Sequence, residues 1–535
     1  MHQQIQNIQV FEKSTFSNQD ANLIQLEWWN PNEMKFRDVQ IHITITQENN
    51  IIYSSQEGII LRKEQIYDNP NNQEILLNME QIQHLEWLGE YGKNKRKLGK
   101  WVATWNKSLL IEGGYYVDGL KQGLWTQPFT NYFSKAKVFE NGQYFHDQKY
   151  GRWHYIYKNK NIGGGSYNAQ GVKYGKWLEI SEKFNDDSQL TYCGEYKNGK
   201  KVGIWAVLWN DDDSWYNGEY KNKLMGGGSY DEEGDGIKQG NWLEVSDRFD
   251  NHTQVTFKGE YKNGKKVGNW HIFHRQNGKG KSIMKIGGGL YKEEEIKQGI
   301  WVELSDRFYD FSQVKYNGQY KHGKKIGRWD IFYVKEKMQK QIINGGGQYD
   351  EEGDETKLGF WVEVSDRFYC NSKVTYHGQY KNGKKIGMWN ILFNWQGNKQ
   401  MQQNIMQYIR FSGGGLYDKR GDGIKQGYWI EIWNGFFYQS QVTYSGQYKN
   451  DKKVGRWDIL NEGDQIQEYL SLSGGGSYDE EGNEIKFGRW IELANDFWDF
   501  GQITFNGEYQ DGKKVGRWVE MDLYKDEKRE IMYQY

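Results

Sequence analysis

The chain has 535 residues, of which 16% are aromatic, and it contains 65 Gly but only three Pro. Its 70 Lys and Arg balance 71 Asp and Glu, which disfavours a bulk electrostatic affinity for nucleic acid or acidic lipid. No apolar run approaches the about 18 residues of a membrane-spanning helix, and the first residues lack the apolar core of a secretory signal. Two cysteines, Cys193 and Cys370, are too few for a disulfide framework or a zinc site. We therefore expect a cytosolic protein without a transmembrane segment.

Residues 1–85 carry no repeat. Within them, Val39 to Ile45 (VQIHITI) alternates apolar and polar residues, which predicts a strand. Residues 73–88 (QEILLNMEQIQHLEWL) predict either a short helix or a strand leading into the next region. Because the end of a repeat array exposes unpaired strand edges, we expect residues 1–85 to form a cap.

From residue 86 to 520 a Gly-x-Trp step recurs in two alternating forms. The basic form reads VTFKGEYKNGKKVGNW (255–270), and the acidic form reads GGGSYDEEGDGIKQGNW (226–242). Both reduce to Gly-x-Tyr, a polar turn and Gly-x-Trp, so they are versions of one unit. The tryptophans of the fifteen modules are Trp101, Trp125, Trp153, Trp177, Trp205, Trp242, Trp270, Trp301, Trp329, Trp361, Trp389, Trp429, Trp457, Trp490 and Trp518.

The spacing of these tryptophans defines a larger unit. Each acidic-module Trp is followed by a basic-module Trp 28 residues later, whereas the step from a basic to the next acidic module varies from 24 to 40 residues. Surface loops accept insertions and packed segments do not, so an acidic–basic pair is the rigid unit. The insertion after Trp205 contains WYNGEYKN (215–222), which we interpret as a decayed module.

Each basic module predicts a β-hairpin. Val255, Phe257, Gly259 and Tyr261 alternate with polar residues, and Asn263-Gly264 is the dipeptide of a two-residue hairpin turn. Glycine opposite an aromatic ring would let the ring lie against backbone, which is a reason for Gly and Trp to recur together. No hairpin of this size buries its face alone. We therefore predict an all-β fold, an elongated single-sheet or solenoid-like stack of hairpins in seven acidic–basic pairs plus one, with the charged tail 521–535 covering the far end.

The sequence of the repeats resembles that of the MORN family, whose units read roughly Tyr-x-Gly-x-Trp/Tyr, a short Asn-Gly-Lys turn and Gly. YNGQYKHGKKIG (316–327) and FNGEYQDGKKVG (505–516) are the nearest matches. The ending in Gly-x-Trp is similar to the second MORN subtype, which also occurs in bacterial YwqK-type proteins. This chain departs from the family in its triple glycines, in the Trp after the last Gly and in the alternation of two forms. The resemblance implies a stack of hairpins without a cofactor.

Three patterns invite a chemical interpretation, and for each we favour a structural one. The Gly-Gly-Gly runs lack the Lys-Ser/Thr of a phosphate loop, so we expect close-packing or hinge glycines. The acidic turns, such as residues 231–235, lack the ligand spacing of a calcium loop. Ser-Asp-Arg-Phe recurs at 246–249, 305–308 and 365–368, and a repeated element is more simply a turn or a salt bridge than a catalytic pair. The histidines share no register beyond His271 and His274, so we predict no metal and no catalytic base.

The favoured function is a non-enzymatic scaffold that binds other proteins. The resemblance implies a cytoskeletal, cortical or ciliary assembly. An alternative is a peripheral membrane adaptor, because MORN repeats are linked to anionic lipids and lysine pairs recur at the turns. Further alternatives are an enzyme, for which no segment outside the repeats is long enough, and an antitoxin-like inhibitor. The Trp ladder itself is expected to be core. The candidate contacts for a lipid or a partner are Lys265, Lys266, Lys324, Lys325, Lys384 and Lys385, with equivalents at 200–201, 452–453 and 513–514.

Overall fold

The computed structural model describes most of the chain in two compact units. The described residues are 22–30, 35–55, 58–65, 75–210, 222–251, 253–275, 283–292, 295–310, 312–334, 341–366, 368–369, 372–395, 408–433, 435–436, 440–461, 473–494, 497, 503–523 and 525–533. The first unit comprises residues 1–251 with 261–264, and the second comprises 252–260 with 265–535. The decayed module expected at 215–222 and the residue Cys370 lie, apart from Asn222, outside the described residues.

The first unit begins with a small antiparallel sheet of four strands in chain order, which includes the strand predicted at Val39–Ile45. A single-turn helix follows, and the Asn78 side chain caps it by accepting the N–H groups of Glu80 and Gln81 at 3.0 and 3.2 Å. Ile41, Tyr53 and Ile82 are buried together, so this helix closes one face of the sheet. The elements are β1 (Asn22–Asn30), β2 (Lys35–Ile45), β3 (Asn50–Ser55), β4 (Ile60–Gln65) and α1 (Met79–His84).

The rest of the first unit is a run of antiparallel strands in which each strand pairs with its neighbours in the chain. Residues 73–88, predicted as a helix or a strand, supply both, since α1 leads directly into the first repeat strand. The strands are β5 (Leu85–Tyr91), β6 (Lys97–Trp105), β7 (Ser108–Val117), β8 (Leu120–Pro128), β9 (Val138–Phe145), β10 (Gln148–Tyr157), β11 (Lys160–Tyr167), β12 (Lys173–Ile180), β13 (Leu190–Lys197), β14 (Lys200–Asn210), β15 (Asn222–Tyr230) and β16 (Lys238–Val245).

The second unit repeats this arrangement with consecutive antiparallel strands from β18 to β35. The strands are β17 (Val255–Lys262), β18 (Lys265–Arg275), β19 (Ile283–Lys292), β20 (Ile296–Leu304), β21 (Val314–Lys321), β22 (Lys324–Val334), β23 (Gln341–Tyr349), β24 (Lys357–Val364), β25 (Val374–Lys381), β26 (Lys384–Trp395), β27 (Tyr408–Tyr417), β28 (Lys425–Ile432), β29 (Val442–Lys449), β30 (Lys452–Asn461), β31 (Ser473–Tyr478), β32 (Lys486–Leu493), β33 (Ile503–Gln510), β34 (Lys513–Asp522) and β35 (Glu527–Tyr533).

The hairpin turns follow the sequence prediction. In the basic hairpin Lys321 pairs with Lys324, so His322 and Gly323 form a two-residue loop, and both have positive φ (50° and 80°). The variable segments all join the second strand of a basic hairpin to the first strand of the following acidic one, as between β22 and β23. All-β architecture built from hairpins is thus confirmed. The tail 521–535 also contributes a strand, β35, which pairs with β34.

Candidate interaction surfaces

The repeated tryptophans form the core of the sheet face that we call the inner face. All fifteen are at most 6% exposed. Each packs against the glycine of Gly-x-Tyr on the neighbouring strand, where an added Cβ would lie 2.0–2.5 Å from indole carbons. The expectation that glycine lets a ring lie on backbone therefore holds for this glycine. The glycine of Gly-x-Trp has another role: Gly387 has φ +62° and open space around it, and it lies in a bulge where the register between β25 and β26 shifts.

The triple glycines are close-packing residues, as the sequence predicted. In the run 345–347, a Cβ on Gly345 would lie 2.3 Å from the carbonyl oxygen of Val362, and one on Gly346 would lie 2.0 Å from that of Trp329. A Cβ on Gly347 would lie 2.1 Å from the Trp361 ring. Each glycine is therefore required by a different neighbouring atom of the sheet.

Within each unit, tyrosines fill the spaces between the tryptophans and make a ladder of rings on the inner face. In the second unit, Tyr320 contacts Trp301 and Trp329 with ring centroids 6.1 and 5.2 Å apart, at interplanar angles of 79° and 88°. Such edge-to-face contacts contribute about 0.5–1.5 kcal/mol each beyond burial. The rings of the ladder therefore contact one another.

A lysine–glutamate–lysine cluster covers the ladder in at least five of the seven acidic–basic pairs. Glu303 pairs with Lys297 and with Lys325 (3.1 Å), and it also accepts the hydroxyl of Tyr320 at 2.9 Å. Burial alone would raise the pKa of Glu303, but the two ammonium groups outweigh it and hold the pKa below its usual value. The same cluster recurs at Glu179, Glu363, Glu431 and Glu492.

The lysine pairs at the basic turns divide into two roles. The first lysines, Lys265, Lys324 and Lys384, are exposed at the turn. The second lysines, Lys266, Lys325 and Lys385, are half-buried, and their Nζ atoms lie 4.1, 4.3 and 4.0 Å from the centres of tryptophan rings. An open pocket of about 410 Å³ lies here, lined by Lys325, Tyr349, Glu355, Lys357, Tyr380 and Gly383. The candidate contacts therefore comprise three surface lysines and three cluster lysines.

The acidic turns are organised by their first aspartate. Asp350 accepts the backbone N–H groups of Gly353, Asp354 and Thr356 at 2.6–2.8 Å, and these bonds, the one from Asp354 foremost, lower the pKa of Asp350. Glu355 of the same turn lies 3.7 Å from Lys324 of the preceding basic turn. The Asp350 carboxylate thus stabilises the turn in which it lies. Within the described ranges no three His, Cys, Asp or Glu side chains form a metal-binding group.

The Ser-Asp-Arg-Phe segments are turns that link successive loops. Phe308 and Phe368 donate their N–H groups to the carbonyl oxygens of Ser305 and Ser365, and both rings are buried. A serine just after the second and the third segment bonds the following loop: Ser312 Oγ donates to the carbonyl oxygen of Phe368, and Ser372 Oγ donates to that of Phe436 at 2.9 Å. The predicted turn is confirmed. Of the two histidines, His274 is buried with Nε2 3.1 Å from Asp310 Oδ1, and His271 lies on the opposite face of β18.

The opposite, outer face carries a feature that the sequence reading missed. The residue between the Gly and the Trp of Gly-x-Trp is exposed in all fifteen modules, although its flanking residues are fixed. The sequence signal for this exposed position is its variability, because it changes between modules while the Gly and Trp on either side do not. We call this set the outer row: Lys100, Leu124, Arg152, Lys176, Ile204, Asn241, Asn269, Ile300, Arg328, Phe360, Met388, Tyr428, Arg456, Arg489 and Arg517.

Neither the scan against protein-family models nor the search of curated proteins finds a match. The α-helix of the described part of the chain, α1, has six residues. No described helix is long and apolar enough to cross a bilayer.

Proposed function

We propose that this protein is a non-enzymatic scaffold that binds other proteins through its outer face. The observation that supports the proposal is the contrast between the two faces. Inner positions repeat the same Trp, Tyr, Lys and Glu, whose functional groups contact one another, whereas the exposed side chains of the outer row are of eight different residue types in fifteen modules. A uniform backbone with a variable exposed row is suited to displaying distinct contacts along the outer face of each unit.

The test replaces three apolar members of the outer row by a residue that the row itself contains. Ile204→Asn, Ile300→Asn and Phe360→Asn copy Asn241 and Asn269, so the fold is expected to persist. Quantitative affinity purification from the native cell should then show at least a tenfold loss of a defined set of proteins. Lys200→Ala, Lys324→Ala and Lys384→Ala, at exposed turn positions, serve as the matched control. An unchanged protein set in the outer-row variant would contradict the proposal.

The resemblance to MORN repeats adds a proposed setting, a cytoskeletal, cortical or ciliary assembly. Detergent extraction of the native cell tests it: retention in the insoluble cytoskeletal fraction supports this setting.

The alternative, an adaptor for anionic phospholipids, depends on the exposed first lysines such as Lys324. If the triple turn-lysine variant binds phosphatidylserine vesicles as well as the wild type does, the lysine turns are not a lipid site.

A further inference from the structure

A cluster of exposed apolar side chains lies on the outer face of the first unit. Leu124, Phe145, Tyr150 and Tyr174 are 47–64% exposed, and they come from β8, β9, β10 and β12. The strand register connects them: Leu124 is opposite Gln143, Gln143 is opposite Tyr150, and Ser166 joins Arg152 to Tyr174. With Arg152 at its centre we call these five residues the β8–β12 patch. Four strand spacings make it roughly 19 Å wide.

Comparison with the other modules shows that these side chains are not needed for the fold. Phe145 occupies the position of Lys197, Lys262, Lys321, Lys381 and Lys449. Tyr174 occupies that of Gln122, Gln239, Gln298 and Gln426, and of Leu358 and Phe487 in the two remaining acidic modules. The last three of these glutamines bond the following basic turn, as Gln426 Nε2 does with Asn450 Oδ1 at 3.1 Å. At Phe145, and at Tyr174 relative to four of the six other acidic modules, the patch therefore carries an aromatic ring where a polar surface residue also supports the hairpin.

Tyr150 is exposed because the turn beside it is short. At the equivalent position Val202 and Ile326 are only 7% and 6% exposed. The acidic turn of residues 231–237 reaches Val202, since a Cβ on Gly234 would lie 3.8 Å from its Cγ1. The turn between β11 and β12 runs only from 168 to 172, and Tyr150 is 47% exposed.

Arg152 is the charged centre of the patch and has no acidic partner among the described residues. Elsewhere in the outer row Arg328 and Arg456 each place Nε 2.8 Å from an aspartate two residues later, Asp330 and Asp458. The residue two after Arg152 is His154, which contacts Asn161 instead. Lys176, beside Tyr174, is opposite Glu195, which borders the patch. The patch thus combines an uncompensated guanidinium with exposed aromatic rings.

We propose that the β8–β12 patch docks an acidic segment of a partner protein, with a partner carboxylate on Arg152 and apolar partner side chains against the four exposed residues. This inference rests on the proposed function and names the partner chemistry for one part of the outer face. A guanidinium presents a planar fork that matches a carboxylate, and exposed Tyr and Phe provide rigid contact area. The cations here, Arg152 and the neighbouring Lys176, are fewer than the about four to eight typical of an anionic-lipid site, and Glu195 lies opposite Lys176, which favours a protein segment over a membrane.

The test uses the full chain and synthetic 15-residue peptides in which Asp and Glu alternate with Leu and Phe, with Lys-substituted peptides of the same apolar content as probes of charge. The patch variant carries residues from other modules: Phe145→Lys, Tyr150→Val, Arg152→Asn and Tyr174→Gln. The matched control is Phe487→Gln in the second unit, which makes the same change at the position equivalent to Tyr174 and lies outside the outer row. Circular dichroism and the thermal midpoint verify that both fold.

We expect acidic peptides to bind the wild type and the control, and to bind the patch variant at least tenfold more weakly in fluorescence anisotropy. Equal binding to the patch variant, a preference for Lys peptides, or no peptide binding would overturn the proposal. So would patch-dependent binding to phosphatidylserine vesicles without peptide binding, or patch-dependent self-association in light scattering. These failures leave the scaffold proposal intact if the outer-row variant still loses its protein set.

Discussion

The Trp329 side chain packs directly against the backbone of Gly318, and a Cβ on that glycine would lie 2.2 Å from the indole Cδ2. Trp329 is also 2% exposed, and its Nε1 donates to the carbonyl oxygen of Gln319 at 3.3 Å. The glycine is therefore required by the ring of the next strand.

This relationship predicts a double-mutant cycle. Gly318→Ala should lower the free energy of unfolding by at least about 1–3 kcal/mol through overpacking, and Trp329→Ala by about 3–5 kcal/mol through the cavity it leaves. In the Trp329→Ala background, Gly318→Ala should cost little, because the obstacle is gone. Denaturant unfolding measures all four proteins. Gln319→Ala, on the exposed outer face, is the control, and strictly additive effects would contradict the steric explanation.

The sequence predicted this contact only in part. Hairpins, turns and the buried parity followed from the alternation around Asn263-Gly264 and from the fixed spacing of the pairs. The sequence did not reveal which glycine lies beneath the ring, because a bulge in the second strand of the basic hairpin, as at Gly387, changes the strand parity. The sequence also could not show that Lys324 and Lys325 have different roles. These roles depend on the positions of their partners, Glu355 in an acidic turn and Glu303 on another strand.

Lys325 and Lys324 should therefore differ in their effect on stability. Lys325→Ala removes a cation above Trp329 and one of the two partners of Glu303, so it should cost about 1–3 kcal/mol and lower the thermal midpoint by several degrees. Lys324→Ala removes an exposed pairing with Glu355 and should change the midpoint little. Differential scanning fluorimetry compares the two. Equal midpoints would mean that the inner cluster adds nothing to stability.

Acid should destabilise the protein through the cluster glutamates. Their folded pKa lies below the unfolded value of about 4.3, so their contribution is complete above that pH and is lost as the pH falls through the folded pKa. The thermal midpoint should fall progressively below about pH 4.5. Glu303→Gln, which copies Gln127 in the first acidic hairpin, should make that dependence shallower. An identical pH profile would contradict a role for Glu303.

His274 should be replaceable by tyrosine. It stands where Tyr157 and Tyr333 stand in other modules, and Tyr157 donates its hydroxyl to Asp186 as His274 faces Asp310. His274→Tyr should keep the thermal midpoint close to that of the wild type. His274→Leu removes the group opposite a buried carboxylate and should cost about 1–3 kcal/mol. If chemical denaturation finds both variants equally stable, the polar contact with Asp310 does not matter.

The position of the shared glutamates has an evolutionary consequence. Glu363 is on the second strand of an acidic hairpin and takes one lysine, Lys357, from its own strand and the other, Lys385, from the following basic hairpin. A gene duplication or deletion of a single hairpin would leave a glutamate or a lysine without its counterpart. The length of such a chain can therefore change neutrally only by whole acidic–basic pairs, which makes the pair the unit of inheritance as well as of packing.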